Sequence, residues 1–337
     1  MANILIANTL EDFFPKASYA ALVDPDRTSV AAAARDFVEA GRRYGCVRLI
    51  DAPARLFSEQ VLGEALRVFA MTDAGRRRLY KKSFDTSHSN LYRGWYPSPQ
   101  PNWGTEGYDI GPDIARAMAV MDPDDPITEP TPVPSDEELS DAAGWRAAAA
   151  EYYLGMEAVG RVVLRAIAVG LGLDSARFED VFDDGVSTLR LIRFIPDADG
   201  EQRLATPDHT DSGLVTLLVQ CDEAGLEFLD PAGRWRAVPP EAATIVVNFG
   251  QLLETWTNGA VKATRHRVLD LKQERRSAPF FVEPRVDAVI SPLKELGGAE
   301  FAPFAFGDYL WARTTEFKEQ AGVAHLRAPR GLALGAR

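Results

Sequence analysis

Pro207-Asp208-His209-Thr210-Asp211 places an imidazole and a carboxylate two residues apart. The apolar run that follows, Leu214-Val215-Thr216-Leu217-Leu218-Val219, is rich in β-branched residues and predicts a buried strand. On an extended backbone, residues two apart point to the same face of the strand. His209 and Asp211 are therefore predicted to converge on one small object, and a third ligand would complete a metal site.

His266 is the candidate for that third ligand. The chain has only four histidines, His88, His209, His266 and His325, and His266 precedes an apolar strand-like run as His209 does. Two histidines and one carboxylate leave coordination positions open, which is the facial arrangement of non-haem iron sites. The same three ligands can also hold zinc, so a zinc hydrolase or a non-catalytic metal-binding protein remains a remote alternative.

Arg275 and Ser277 lie two residues apart downstream of His266, so their side chains are expected to share a face. A guanidinium next to a hydroxyl can bind a carboxylate through two charge-assisted hydrogen bonds and one neutral donor. This pair therefore predicts an organic-acid site near the metal.

The composition excludes several classes of protein. The 337 residues are 46% hydrophobic and 26% charged, with a formal net charge of -12, which argues against nucleic acid and anionic membranes as partners. The two cysteines, Cys46 and Cys221, form no CxxC motif and fit a reducing compartment. The stretch from Met1 to Asn8 lacks the basic and apolar regions of a signal peptide, so a cytoplasmic location is expected.

The predicted elements divide the chain near residue 137. Residues 1–137 are expected to form a helix and strand region, with a helix at 29–43 capped by Ser29 and an aromatic loop at 83–137. Within this loop, residues 88–112 are predicted to line a substrate pocket and residues 119–136 to cross the surface. The basic residues Arg76, Arg77, Arg78, Lys81 and Lys82 are predicted to form a solvated helix face.

Residues 138–337 are expected to hold a long helix, predicted at 136–171, then many short strands and a helix at 306–320. Short strands separated by turn signals favour an antiparallel sandwich or jelly roll. The chain is thus predicted to be mainly β with flanking helices, and both regions are expected to pack as one compact unit.

Several motifs resemble the Fe(II)/2-oxoglutarate-dependent dioxygenases of the isopenicillin N synthase-like superfamily. The resemblance is carried by His209-Thr210-Asp211, Val246-Val247-Asn248-Phe249-Gly250-Gln251-Leu252-Leu253-Glu254-Thr255-Trp256-Thr257-Asn258-Gly259, Lys262-Ala263-Thr264-Arg265-His266-Arg267-Val268, the pair Arg275 and Ser277, and Gly107-Tyr108-Asp109-Ile110-Gly111-Pro112. It implies a double-stranded β-helix core. It also implies Fe(II) held by His209, Asp211 and His266, and 2-oxoglutarate held through its distal carboxylate by Arg275 and Ser277.

The resemblance further implies a small-molecule substrate that is hydroxylated or desaturated with O2, with succinate and CO2 as coproducts. Ascorbate is expected to help in vitro, secondary metabolism is the expected setting, and a monomer is the expected state. Arg93, Trp95 and Phe194 are candidate substrate contacts.

One position departs from the family pattern. Phe194 stands where the family often has a tyrosine that hydrogen-bonds the cosubstrate, so binding of 2-oxoglutarate is expected to depend more on Arg275 and Ser277. This departure also motivates an alternative function, an oxidase of the isopenicillin N synthase type that uses no 2-oxoglutarate.

Overall fold

The computed structural model describes residues 14–99, 104–118, 122–196, 204–221, 224–269, 273–297 and 301–332. The stretch from Met1 to Asn8, and the parts of the aromatic loop at 100–103 and 119–121, lie outside these ranges.

Two sheets form the centre of the fold. The strands are β1 (Lys16–Ser18), β2 (Cys46–Ile50), β3 (Gly94–Tyr96), β4 (Gly104–Ile110), β5 (Thr188–Ile195), β6 (Leu204–His209), β7 (Val215–Val219), β8 (Leu226–Leu229), β9 (Trp235–Ala237), β10 (Ile245–Phe249), β11 (His266–Leu269), β12 (Arg275–Val282), β13 (Val289–Ile290) and β14 (Phe304–Ala305). The large sheet has the order β1-β2-β10-β7-β12-β5-β4-β3, and the small sheet has the order β6-β11-β8-β9. Pairing is antiparallel in both sheets except between β1 and β2.

The two sheets face each other across an apolar cluster. Phe194 and Val246 of the large sheet meet Leu226, Phe228 and Val268 of the small sheet there. Strands that alternate inward and outward side chains can bury one face in this way, and two such faces together make the interior of a jelly roll. The predicted jelly-roll fold is confirmed.

Helices flank the large sheet. They are α1 (Tyr19–Leu22), α2 (Arg27–Tyr44), α3 (Glu64–Leu66), α4 (Asp73–Arg78), α5 (Ala142–Gly170), α6 (Gln251–Trp256) and α7 (Phe306–Thr314). Helix α5 packs on α2 and on strands β7 and β12. Its buried stripe includes Tyr152, Met156, Val159 and Val163, which recur at helical spacing. Within the described residues, no helix is both long enough and apolar enough to cross a membrane.

The residues before 138 contribute to the same sheet as the later strands. β2 pairs with β10, and β3 and β4 extend the sheet beyond β5. The cap of helix α2 differs from the prediction: Asp26, not Ser29, accepts a hydrogen bond from the backbone N–H of Thr28. Ser29 lies inside the first turn, where its hydroxyl donates to the Asp26 carboxylate.

Two predictions about the region before 138 are wrong. Lys81 is fully buried and paired with Asp109, and Arg76 pairs with Glu106, so the basic residues do not form a simple solvated face. The segment 122–136 is not a surface crossing, because Asp125, Ile127 and Thr128 are buried. Asp125 is held by both Nε and Nη2 of Arg327 from the end of the chain, at 2.9 Å each.

Candidate metal centre and cavity

His209, Asp211 and His266 meet at one edge of the small sheet. His209 ends β6, His266 begins β11, and the two residues are direct partners in the antiparallel register. Nε2 of each imidazole lies 3.7 Å from Oδ1 of Asp211. One ligand atom from each residue lies within 4.8 Å of the others, so a single ion can contact all three.

The predicted strand through this motif is interrupted. β6 stops at His209 and β7 begins at Val215, so Asp211 lies in the connection between the two sheets. Asp211 still meets the histidines because Oδ2 accepts a hydrogen bond from Thr216 Oγ1 at 2.6 Å, which leaves Oδ1 for the ion.

Backbone carbonyls orient both imidazoles. Nδ1 of His209 lies 2.8 Å from the carbonyl of Pro207, and Nδ1 of His266 lies 3.0 Å from that of Thr264. A carbonyl only accepts, so Nδ1 carries the proton and the lone pair is at Nε2, which faces Asp211. This is the tautomer that a metal ion requires.

The electrostatics favour the ligand forms of these side chains. Burial disfavours the charged carboxylate, but His266 and His209 together hold the pKa of Asp211 below its usual value. Burial is also the main reason that the pKa of His266 is lowered, which favours the neutral imidazole. An ionised carboxylate and a neutral imidazole are the states that bind a divalent metal, so the residues present fit such an ion.

A cavity of about 580 Å³ lies between the sheets and includes all three of these residues in its wall. Alternate residues of β12 line it, namely Arg275, Ser277, Pro279 and Phe281, followed by Glu283 just after the strand. The predicted pair Arg275 and Ser277 therefore shares one cavity with the three metal-ligand candidates. Nη1 of Arg275 donates to the carbonyl of Ala224 at 2.6 Å.

Phe194, a candidate substrate contact, also lies in the cavity wall. Its ring lies under the guanidinium of Arg275, with 3.9 Å between Cζ and the ring centroid. The ring therefore supports the arginine through a cation–π contact.

Arg93 and Trp95 are not in the cavity wall, so the structure does not support them as substrate contacts. Arg93 is fully buried and donates to Thr188 Oγ1 at 2.6 Å and to the carbonyl of Val186 at 2.8 Å. Trp95 is also fully buried and packs against Phe69. Both side chains therefore belong to the protein interior. Hydrogen-bond acceptors hold Arg93, and packing against an aromatic ring holds Trp95.

Several further residues line the cavity. Arg190 shares the β5 face with Phe194, as alternation along the strand indicates, and it also lines the cavity. Tyr96 and Asp109 lie in the segment 88–112, which was predicted to line a substrate pocket, and Phe317 lies in the segment predicted as the final helix. Glu283 was not identified from the sequence, because no short motif marks it.

A jelly roll with two imidazoles and a carboxylate facing an internal cavity defines the class of non-haem metal-dependent jelly-roll proteins. The sequence model of the 2OG-Fe(II) oxygenase superfamily matches residues 186–284, which include His209, Asp211, His266, Arg275 and Ser277. This region of the chain thus matches the superfamily that the motifs resemble.

Similar proteins include gibberellin 20 oxidase 3 of Oryza sativa, which is 38% identical over 164 residues, or 47% of this chain and 44% of the relative. A clavatol oxidase of Penicillium crustosum is 35% identical over 157 residues, covering 44% of this chain and 46% of the relative. The match thus spans less than half of the length of these relatives.

A solved structure of a full-length Neurospora crassa protein in complex with alpha-KG and 5-formyluracil has the same fold. Its TM-score is 0.77 at 24% identity, and the alignment covers 94% of this chain and all of that one. The structure of the rice dioxygenase for auxin oxidation gives a TM-score of 0.70 at 23% identity, covering 94% of this chain and all of the rice chain.

Proposed function

We propose that this protein is a non-haem Fe(II)/2-oxoglutarate-dependent dioxygenase that hydroxylates or desaturates a small molecule. The observation that carries the proposal is that His209, Asp211, His266, Arg275 and Ser277 line one cavity. The first three of these residues would hold Fe(II), and Arg275 with Ser277 would bind the distal carboxylate of 2-oxoglutarate. When bound, Fe(II) with 2-oxoglutarate and O2 supplies the oxidising chemistry, with succinate and CO2 as coproducts.

The residues of the chain have separate tasks in this function. Thr216, Pro207 and Thr264 orient the three metal ligands through the hydrogen bonds described above. Arg275 is buried, so its charge is poorly screened and attracts a carboxylate more strongly than a surface arginine would. Together these contacts fix where the metal and the cosubstrate would lie before substrate enters.

The segment from the end of α7 at Thr314 to Gln320 lines one side of the cavity and would exclude water there. The ring of Phe317 packs edge-on against His209, with 6.4 Å between the centroids. Lys318 Nζ donates to Thr105 Oγ1 at 3.0 Å, and Ser83 Oγ donates to the carbonyl of Glu319 at 2.8 Å. A covered cavity keeps reactive species from water, which this chemistry requires.

The setting of the reaction belongs to the same proposal. A role in secondary metabolism is supported by the similarity to the clavatol oxidase. The net charge of -12 supports a small-molecule substrate and not nucleic acid. We further propose that the protein is a cytoplasmic monomer. We also propose that residues 1–137 and 138–337 form one compact unit, which is supported by the pairing of β2 with β10 and the packing of α2 on α5.

The test is succinate formation from 2-oxoglutarate with Fe(II) and ascorbate, measured across candidate substrates and with each component omitted. Succinate that depends on Fe(II), and a higher KM for 2-oxoglutarate in R275Q, are expected. The matched control is R276Q, because Arg276 is the next residue of β12 but is exposed. Unchanged product yield without 2-oxoglutarate would instead favour the isopenicillin N synthase-type oxidase, and activity with zinc alone would favour a hydrolase.

A further inference from the structure

The wall formed by β4 and β5 carries an ion-pair network that the proposed function has not used. Arg190 on β5 is the register partner of Asp109 on β4. Its guanidinium donates to both carboxylate oxygens, from Nε at 2.6 Å and from Nη2 at 2.8 Å. Lys81 donates to the same carboxylate, so two cations share one anion.

Arg190 and Lys81 share the Asp109 carboxylate, and the Glu319 carboxylate of the cavity wall also attracts both cations. Burial opposes ionisation of Asp109, but Arg190 and Lys81 outweigh it and hold the pKa of this carboxyl far below its usual value. Of the two cations, Lys81 is fully buried, whereas the Arg190 side chain is 21% exposed and lines the cavity. Arg190 is therefore the cation of this network that faces the cavity.

The guanidinium of Arg190 is held in place before any ligand binds. Two of its nitrogens are fixed by Asp109, and its Cζ lies 5.2 Å from the ring centroid of Tyr96 and 5.5 Å from that of Phe281. The third nitrogen, Nη1, has no acceptor within the described ranges of the chain. A fixed guanidinium loses little entropy when it binds an anion, so it is suited to recognition.

We propose that Arg190 determines the substrate specificity of this cavity by binding a carboxylate of the substrate, with Asp109 and Lys81 as positioning residues. The substrate class is a small organic acid whose apolar body lies against Ile192, Phe281 and Phe317, which also line the cavity. This inference rests on the proposed function, because Arg275 must be occupied by 2-oxoglutarate for Arg190 to be the acid site of the substrate.

Two acidic residues in the same cavity define the competing outcome. Glu319 and Glu283 also line the wall and could instead attract an amine. Burial raises the pKa of Glu283 to about 7, so this carboxyl is only partly charged near neutral pH. Arg190 has a nitrogen, Nη1, without an acceptor among the described residues, and this free donor favours an anionic ligand.

The experiment measures binding to protein loaded with Fe(II) and 2-oxoglutarate without oxygen. The probes are aryl- and cycloalkyl-alkanoic acids, each with its methyl ester and the amine of equal length, and binding is followed by ligand-observed NMR. Wild-type protein is expected to bind the acids about tenfold or more tighter than the esters, since a hydrogen bond to a charged group contributes about 1.5–3 kcal/mol.

Three variants distinguish recognition from a structural effect. R190Q is expected to lose the preference for acids over esters while binding esters unchanged, and D109N is expected to reduce that preference. R190K keeps a cation beside Asp109 and so preserves the fold if R190Q does not, with weaker acid binding. R193Q is the matched control, because Arg193 is on the same strand, is also 21% exposed and pairs with Glu106, but does not line the cavity.

The proposal is overturned if both R190Q and R190K keep the wild-type preference for acids over esters, or if R193Q loses this preference as R190Q does. It is also overturned if the wild-type protein binds the amines most tightly or binds none of the acids. The visible absorption band of the Fe(II) and 2-oxoglutarate complex is recorded in the same samples. A band without acid preference contradicts this inference alone, whereas no band in the wild-type protein contradicts the proposed function.

Discussion

The guanidinium of Arg275 lies 3.9 Å above the ring of Phe194, its register partner on the neighbouring strand. Both side chains face the cavity. The position that often supplies a tyrosine hydroxyl in this family therefore supplies an aromatic face in this chain. Phe194 supports the arginine but donates no hydrogen bond to a cosubstrate.

Replacing Phe194 by tyrosine tests this relationship. F194Y is expected to lower the KM for 2-oxoglutarate roughly two- to tenfold, because it adds one hydrogen-bond donor beside the predicted carboxylate site. F194L is expected to raise the KM, since it removes the ring under Arg275. Steady-state kinetics with 2-oxoglutarate as the varied component measures both, and a higher KM in F194Y would contradict the assignment of this end of the cavity.

Glu283 predicts a specific pH dependence of stability. Burial raises its pKa from the usual 4.5 to about 7, so the folded chain holds this proton more tightly than the unfolded chain. The free energy of unfolding is therefore expected to fall as pH rises from about 4.5 to about 7, by at most about 3 kcal/mol, and to level off above that.

Urea unfolding at several pH values measures this dependence. E283Q is expected to remove most of the decrease, because the amide does not ionise. The matched control is E274Q, which changes an exposed carboxylate and should leave the slope as in the wild-type protein. An equal slope in wild-type and E283Q proteins would show that Glu283 is ionised in the folded state.

Arg327 is expected to be essential for stability. It is buried and donates to Asp125 through two nitrogens at 2.9 Å and to Asp308 through Nη1 at 2.7 Å. R327A would remove these bonds and leave Arg330, whose Nε lies 3.3 Å from Asp125 Oδ2, beside the buried carboxylate, at a cost of about 3 kcal/mol in the free energy of unfolding. Urea denaturation measures this cost.

The control for R327A is R313A, which removes an exposed arginine that pairs with Glu316 at 3.4 Å. Exposed pairs contribute about 1 kcal/mol or less, so R313A should unfold close to the wild-type midpoint. Similar small effects in both variants would mean that the end of the chain does not hold the segment 122–128 in place.

The parts of the site that could be predicted from sequence are those encoded by short spacings. His209 and Asp211 are two residues apart, and so are Arg275 and Ser277. The side chains of His209 and Asp211 still converge, although β6 ends at His209. The prediction of Arg93 as a substrate contact is not supported, although an arginine among aromatic residues in a loop is typical of a ligand contact. Its buried guanidinium donates to the hydroxyl of Thr188 and to the carbonyl of Val186 instead. These acceptors lie more than ninety residues away.

Long-range ion pairs explain the other errors. Lys81 and Arg190 are 28 and 81 residues from Asp109, so neither a buried lysine nor the network could be inferred from local sequence. Asp125 meets Arg327 across 202 residues, which is why an acidic, proline-rich segment is buried. Such pairs depend on topology, whereas strand alternation and metal-ligand spacing depend only on neighbours in sequence.

Removal of a metal ligand probes the centre directly. Because the three ligand atoms converge on one point, D211A is expected to abolish the increase in Tm that Mn(II) causes in the wild-type protein. D208A is the matched control, since Asp208 is a nearby carboxylate that pairs with the exposed Arg265 and is not one of the three converging ligands.

The most direct test of the central claim is the visible absorption spectrum of the protein with Fe(II) and 2-oxoglutarate in the absence of oxygen. Binding of both at one centre predicts a weak charge-transfer band in the wild-type protein and in D208A. The band is expected to be absent in D211A and to need more 2-oxoglutarate in R275Q. Absence of the band in wild-type protein that has bound Fe(II), or its persistence in D211A, would contradict the assignment of His209, Asp211 and His266 as the iron site.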